Sequence, residues 1–76
     1  MLQMRPNCER CDTDLPADQA GAMICSFECT FCAPCAVVFA AICPNCRGQL
    51  LPRPSRAQSL HAQFPPSTER VVKAHD

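Results

Sequence analysis

The sequence predicts a small metal-stabilised domain with a short β-hairpin, one short α-helix, zinc knuckles and an extended C-terminal tail. Three observations predict it. The chain has only 76 residues, too few to bury a large apolar core. It carries eight cysteines, all between Cys8 and Cys46. It has no tryptophan or tyrosine and only four phenylalanines, so cross-links or metal ions must supply what a core cannot.

Disulfides and zinc are the two candidates, and the redox compartment separates them, because thiols stay reduced in the cytosol and pair in secreted proteins. The segment Met1 to Cys8 holds no apolar run of the length a signal peptide needs, which predicts a cytoplasmic location and reduced thiols. The longest apolar stretch, residues 36–42, falls far short of the roughly 18 residues a membrane helix requires.

Charge divides the chain in two. Residues 1–51 contain three bases (Arg5, Arg10, Arg47) against five acids (Glu9, Asp12, Asp14, Asp18, Glu28). Residues 52–76 contain four bases (Arg53, Arg56, Arg70, Lys73) against two acids (Glu69, Asp76). Each four-thiolate zinc site adds a net charge of about −2, so the module is acidic and the tail basic. Nucleic-acid binding requires clustered Lys and Arg, and the module would instead repel phosphate. The domain reading is therefore a two-ion module over 1–51 and a proline-containing tail over 52–76.

Within the module, residues 12–21 are polar and include Pro16 and Gly21, the signature of a loop. Residues 22–27 (Ala-Met-Ile-Cys-Ser-Phe) have strand character, with Phe31 on the returning strand of a hairpin. Residues 33–42 predict a helix of about two turns, with Pro34 tolerated in the first turn and Pro44 ending it. In the tail, Pro52, Pro54, Pro65 and Pro66 favour extended backbone, and residues 67–74 fit either a short helix capped by Ser67 or a strand through Val71-Val72. The tail is either loosely ordered or docked on the acidic module through Arg53, Arg56, Arg70, Val71 and Val72.

The cysteines fall as Cys8-x2-Cys11-x13-Cys25-x3-Cys29-x2-Cys32-x2-Cys35-x7-Cys43-x2-Cys46, that is, four pairs. A two-residue spacer lets both sulfurs of a pair face one ion while intervening N–H groups point at the thiolates. Four pairs make two tetrahedral sites, hence two zinc ions. Cys32-Ala33-Pro34-Cys35 and Cys43-Pro44-Asn45-Cys46 also resemble redox dithiols, but a thioredoxin-type site needs a βαβ unit for which this chain has no room. The seven residues between Cys35 and Cys43, read as helix, advance about 10 Å and hold those pairs apart. This favours cross-bracing: Cys8, Cys11, Cys32 and Cys35 on one ion, and Cys25, Cys29, Cys43 and Cys46 on the other. The sequential alternative, first four and last four, stays open.

Cys25 through Cys35 with Phe31 before Cys32, then Cys43-Pro44-Asn45-Cys46-Arg47 and Leu50, resembles the RING finger over residues 8–51. That resemblance implies a RING-like, treble-clef-like cross-brace. In RING ubiquitin ligases an aliphatic residue before the second cysteine, a helix aromatic, the proline of the last pair and a basic residue after it engage the conjugating enzyme. Phe39, Pro44 and Arg47 match this pattern, whereas Arg10 stands in the aliphatic position and Cys29 where most RING domains have histidine. Arg10 therefore argues against a ligase. Over nearly the whole chain the sequence also resembles a short bacterial family, domain of unknown function 1272. It does so in Met1-Leu2, in Arg5-Pro6-Asn7-Cys8, in residues 24–32 and in Ser67-Thr68-Glu69-Arg70-Val71. That resemblance implies no activity.

His61 and His75 lie outside the cysteine spacing and are read as surface residues. Eight cysteines on two ions leave no open coordination position, so the chain is read as a non-enzyme. Ile24, Phe27, Phe31, Val37, Val38, Phe39 and Ile42 are read mostly as core, with Val38 or Phe39 exposed as a contact patch. Two functional expectations follow: a structural zinc module that binds another protein, or a thiolate-rich sensor that releases zinc on oxidation.

Overall fold

The computed structural model describes residues 2–72. The hairpin forms where expected. Strand β1 (Ala22–Ile24) runs antiparallel to β2 (Thr30–Cys32), pairing Met23 with Phe31. The turn between them is closed by Glu28 in the left-handed region (φ 66°), whose N–H donates to Cys25 O at 3.0 Å. A third strand, β3 (Leu51–Pro52), pairs on the other side of β1 to give the order β2-β1-β3. Pro52 fits there because an edge strand needs no N–H on its outer side.

Helix α1 spans Ala33–Val38, with Pro34 in its first turn as expected, but it does not reach Ile42. Ala40 and Ala41 take positive φ (54° and 62°), and the Ala41 N–H reaches back to Ala36 O at 2.9 Å. Pro44 is thus not the stop signal. The chain reverses so that Ile42 bridges Gln49 and the Leu50 N–H donates to Ala41 O at 2.8 Å. Four more helical residues would have carried Cys43 about 6 Å away from that position.

The core is Phe31 and Leu50 with Leu15, Ala22, Ala36 and the cysteines. Phe39 packs edge-on against Phe31, ring centres 5.2 Å apart. The expected core was too large: Phe27, Val37, Val38 and Ile42 are exposed, Val37 at 78%. A six-residue helix buries one stripe, here Cys35 and Ala36, and Val37-Val38 fall on the opposite face.

The chain beyond residue 51 is tied to the rest by backbone and arginine bonds. The 51/52 boundary falls inside β3, and Arg53, only 4% exposed, donates to the carbonyls of Arg5 (2.8 Å), Leu15 (2.9 Å) and Pro16 (3.3 Å). The Arg56 guanidinium donates to Leu2 O at 2.9 Å and its N–H to Ala17 O at 2.7 Å. The Ser67 N–H donates to Met4 O at 3.0 Å, and Arg70 pairs with Asp12 and Asp14. Val72 stays exposed. Residues 67–72 form neither the helix nor the strand read from the sequence; the remainder of that segment, with Lys73 and His75, lies outside the described residues. Among the described residues no helix is long and apolar enough to cross a membrane.

Candidate metal centre

Each knuckle is built by local backbone geometry. After Cys8-Glu9-Arg10-Cys11, Asp12 adopts φ 64°, which turns its N–H onto Cys8 O at 3.0 Å. After Cys43-Pro44-Asn45-Cys46, Arg47 does the same (φ 66°), its N–H on Cys43 O at 2.9 Å. These turns free amides to face sulfur. Arg10 N–H donates to Cys8 Sγ at 3.4 Å, Phe27 N–H to Cys25 Sγ at 3.3 Å and Gly48 N–H to Cys46 Sγ at 3.4 Å. Such bonds stabilise thiolates and orient them.

The sulfurs converge in two groups. Cys8, Cys11, Cys32 and Cys35 lie within 4.8 Å of one another, as do Cys25, Cys43 and Cys46. The first group joins the first and third pairs of the sequence; the second takes one member of the second pair and both of the fourth. Grouping by sequence order, first four and last four, is not what the fold produces. Cys29 stands outside the mutual distance of the second group and accepts a hydrogen bond from Asn45 Nδ2 at 3.4 Å. All eight thiols are free.

The electrostatics fit a cation between the sulfurs. Burial pushes the thiols of Cys32 and Cys43 up to about 12, and raises those of Cys29 and Cys35 as well. Cys11 is exposed, and the Thr13 hydroxyl 2.9 Å away, with the Thr13 backbone, brings its thiol down to about 6. Burial also opposes the Cys25 thiolate, yet the N–H groups of Phe27 and Cys29 bring it below its ordinary value. Thiols packed this closely cannot all ionise unless a positive charge sits among them. An all-sulfur donor set suits zinc, which binds cysteine as thiolate.

Arg10 supplies part of that positive charge. Its Nη1 lies 3.5 Å from Cys35 Sγ, and its guanidinium sits over the Phe39 ring, 5.8 Å from the centroid. Cys35 in turn raises the Arg10 pKa.

Sequence reasoning missed two buried polar residues that hold the first knuckle. Asn7 Nδ2 donates to Cys8 O, Asp12 Oδ1 and Val71 O at 2.9–3.0 Å. Glu9, fully buried, accepts from Arg5 Nη1 at 2.5 Å and from the Thr30 N–H at 2.7 Å. Arg53, expected to dock from the tail, is a further buried polar residue. The only signal for Asn7 is its place directly before Cys8. Among the described residues His61 joins neither sulfur group.

An uncharacterized protein of Rhizobium meliloti (strain 1021) is 57% identical over 74 residues, covering 96% of this chain and 88% of its own length. No solved structure matches the chain. Residues 1–56 match the family described as Protein of unknown function (DUF1272), more than half of the chain, and the chain belongs to that family.

Proposed function

We propose that this chain is a non-catalytic structural zinc module, folded as a RING-like cross-brace around two ions and acting as a binding partner for another protein. The observation that carries this reading is the convergence of Cys8, Cys11, Cys32 and Cys35, residues from separate pairs, into one four-sulfur group interleaved with Cys25, Cys43 and Cys46. In this reading Cys29 completes the second set. Zinc, when bound, supplies the positive charge that lets buried thiols ionise, and the chain's own N–H groups hold those thiolates in place. Exposed Val37, Val38, Phe27 and Ile42 provide apolar contact surface for a partner. Arg10 over Phe39 places a cation on the aromatic that RING ligases offer to their conjugating enzyme, which argues against ligase activity. The test is zinc stoichiometry by native mass spectrometry before and after chelation, alongside circular dichroism. Two ions and loss of structure on their removal are expected; one ion, or a folded metal-free chain, refutes the reading.

A second reading, a sensor that releases zinc on oxidation, is favoured by one observation: Cys11, a member of the first sulfur group, is exposed to solvent. Zinc retained at mild peroxide would reject it.

A further inference from the structure

We propose that the two metal positions are unequal: Cys8, Cys11, Cys32 and Cys35 form the closed site that keeps its ion, whereas Cys25, Cys43 and Cys46 form a three-sulfur site with Cys29 as its detachable fourth ligand. This rests on the reading that the cysteines hold zinc, and goes beyond it by naming which ion leaves.

Geometry separates the two groups. In the first, four sulfurs already lie within 4.8 Å of one another, so all four ligands are gathered around one position. In the second only three do; Cys29 lies beside Cys25 and accepts from the Asn45 amide at 3.4 Å, but it is not within that distance of all three. The local chain explains the difference. Cys25 and Cys29 are separated by three residues where the other pairs have two, and the extra residue is absorbed by Glu28 in the left-handed region. To complete the second site, the Cys29 sulfur must draw in toward the other three.

Access points to the same site. An open pocket of about 410 Å³, lined by Ile24, Cys25, Ser26, Gln49, Leu51 and Pro52, reaches the Cys25 side of the second group. Cys46 is itself half-buried rather than enclosed. Chelators and competing thiols remove zinc by ligand exchange, and a site with a detachable ligand beside a pocket offers them both an entry and a vacant position. Cys11, although exposed, already lies within its four-sulfur group, so its exposure opens no coordination position.

The experiment uses the full zinc-loaded chain. EDTA is added in limiting amounts, the metal states are followed by native mass spectrometry, and each state is alkylated with N-ethylmaleimide and mapped by peptide. A one-zinc species should accumulate, with Cys25, Cys29, Cys43 and Cys46 alkylated and Cys8, Cys11, Cys32 and Cys35 protected. Simultaneous loss of both ions overturns the proposal, as does a one-zinc species with the opposite protection. A chain that takes up no zinc at all overturns both this proposal and the reading beneath it, so the two failures are distinct. In a second arm, Cys29→Ser should keep two ions and release the second no more than about threefold faster, whereas Cys43→Ser should hold only one. If Cys29→Ser also holds only one, Cys29 is a fixed ligand and the asymmetry is refuted.

Discussion

Replacing Arg53 tests whether buried hydrogen bonding, and not metal alone, holds this fold. The residue is 4% exposed, and its guanidinium meets three carbonyls, those of Arg5 at 2.8 Å, Leu15 at 2.9 Å and Pro16 at 3.3 Å. Two of these bonds are short enough to count fully, and hydrogen bonds to a charged donor contribute roughly 1.5–3 kcal/mol each. The gross loss in Arg53→Ala is therefore about 3–6 kcal/mol, reduced because water can re-enter from the Arg5 side; about 2–4 kcal/mol is expected. Arg53→Lys keeps the charge but not the fork, reaches one carbonyl, and should lose about half as much. Urea denaturation at a fixed, buffered free zinc concentration measures both, because zinc binding is otherwise part of the apparent stability. Zinc stoichiometry at saturation should stay at two, since no cysteine is altered. A loss below about 1 kcal/mol in Arg53→Ala, or equal stability of the Ala and Lys variants, would refute the reasoning.

Asn7→Ala should cost about 2–3 kcal/mol and weaken the first zinc site while sparing the second, because Asn7 Nδ2 ties the first knuckle to Val71; zinc titration resolved by site checks this. Ala40→Gly should stabilise by about 1 kcal/mol in thermal melts, because Ala40 sits at φ 54° just past α1, and Ala40→Val should destabilise. Molar salt should speed amide exchange at residues 70–72, held by the exposed pairing of Arg70 with Asp12 and Asp14. It should leave the Arg56 and Ser67 amides, bonded to the carbonyls of Ala17 and Met4, unchanged.

What the sequence made legible was what depends on spacing. Four cysteine pairs, a strand-like run before Cys25 and Phe31 before Cys32 are local patterns, and β1, β2 and the start of α1 follow them. The end of α1 was not legible, because it is set by two alanines in the left-handed region, and alanine carries no signal for that conformation. Nor was the exposure of Val37, since an apolar run of helix length does not reveal how few turns will form, whereas Val38 was one of the two residues read as exposed. The x3 spacing of Cys25 and Cys29 was visible, but not that Glu28 would absorb the extra residue in the left-handed region or that Asn45 would bond the Cys29 sulfur.

The basic tail illustrates a further difference between charge and contact. Opposite net charges on tail and module suggest docking by ion pairs, yet of the three arginines only Arg70 meets acids. Arg53 and Arg56 instead donate to main-chain carbonyls: those of Arg5, Leu15 and Pro16 for the first, and of Leu2, Phe64 and Pro65 for the second. The reason lies in the architecture. A domain pinned by cysteines and made largely of loops leaves many carbonyls without ladder partners, and a buried carbonyl without a donor is destabilising. An arginine presents five N–H groups in a planar fork and can serve several such carbonyls at once, which no apolar side chain can do. The tail therefore serves the module as a source of hydrogen-bond donors more than as a source of positive charge. Lysine in place of either arginine would preserve the net charge and lose about half of that contribution.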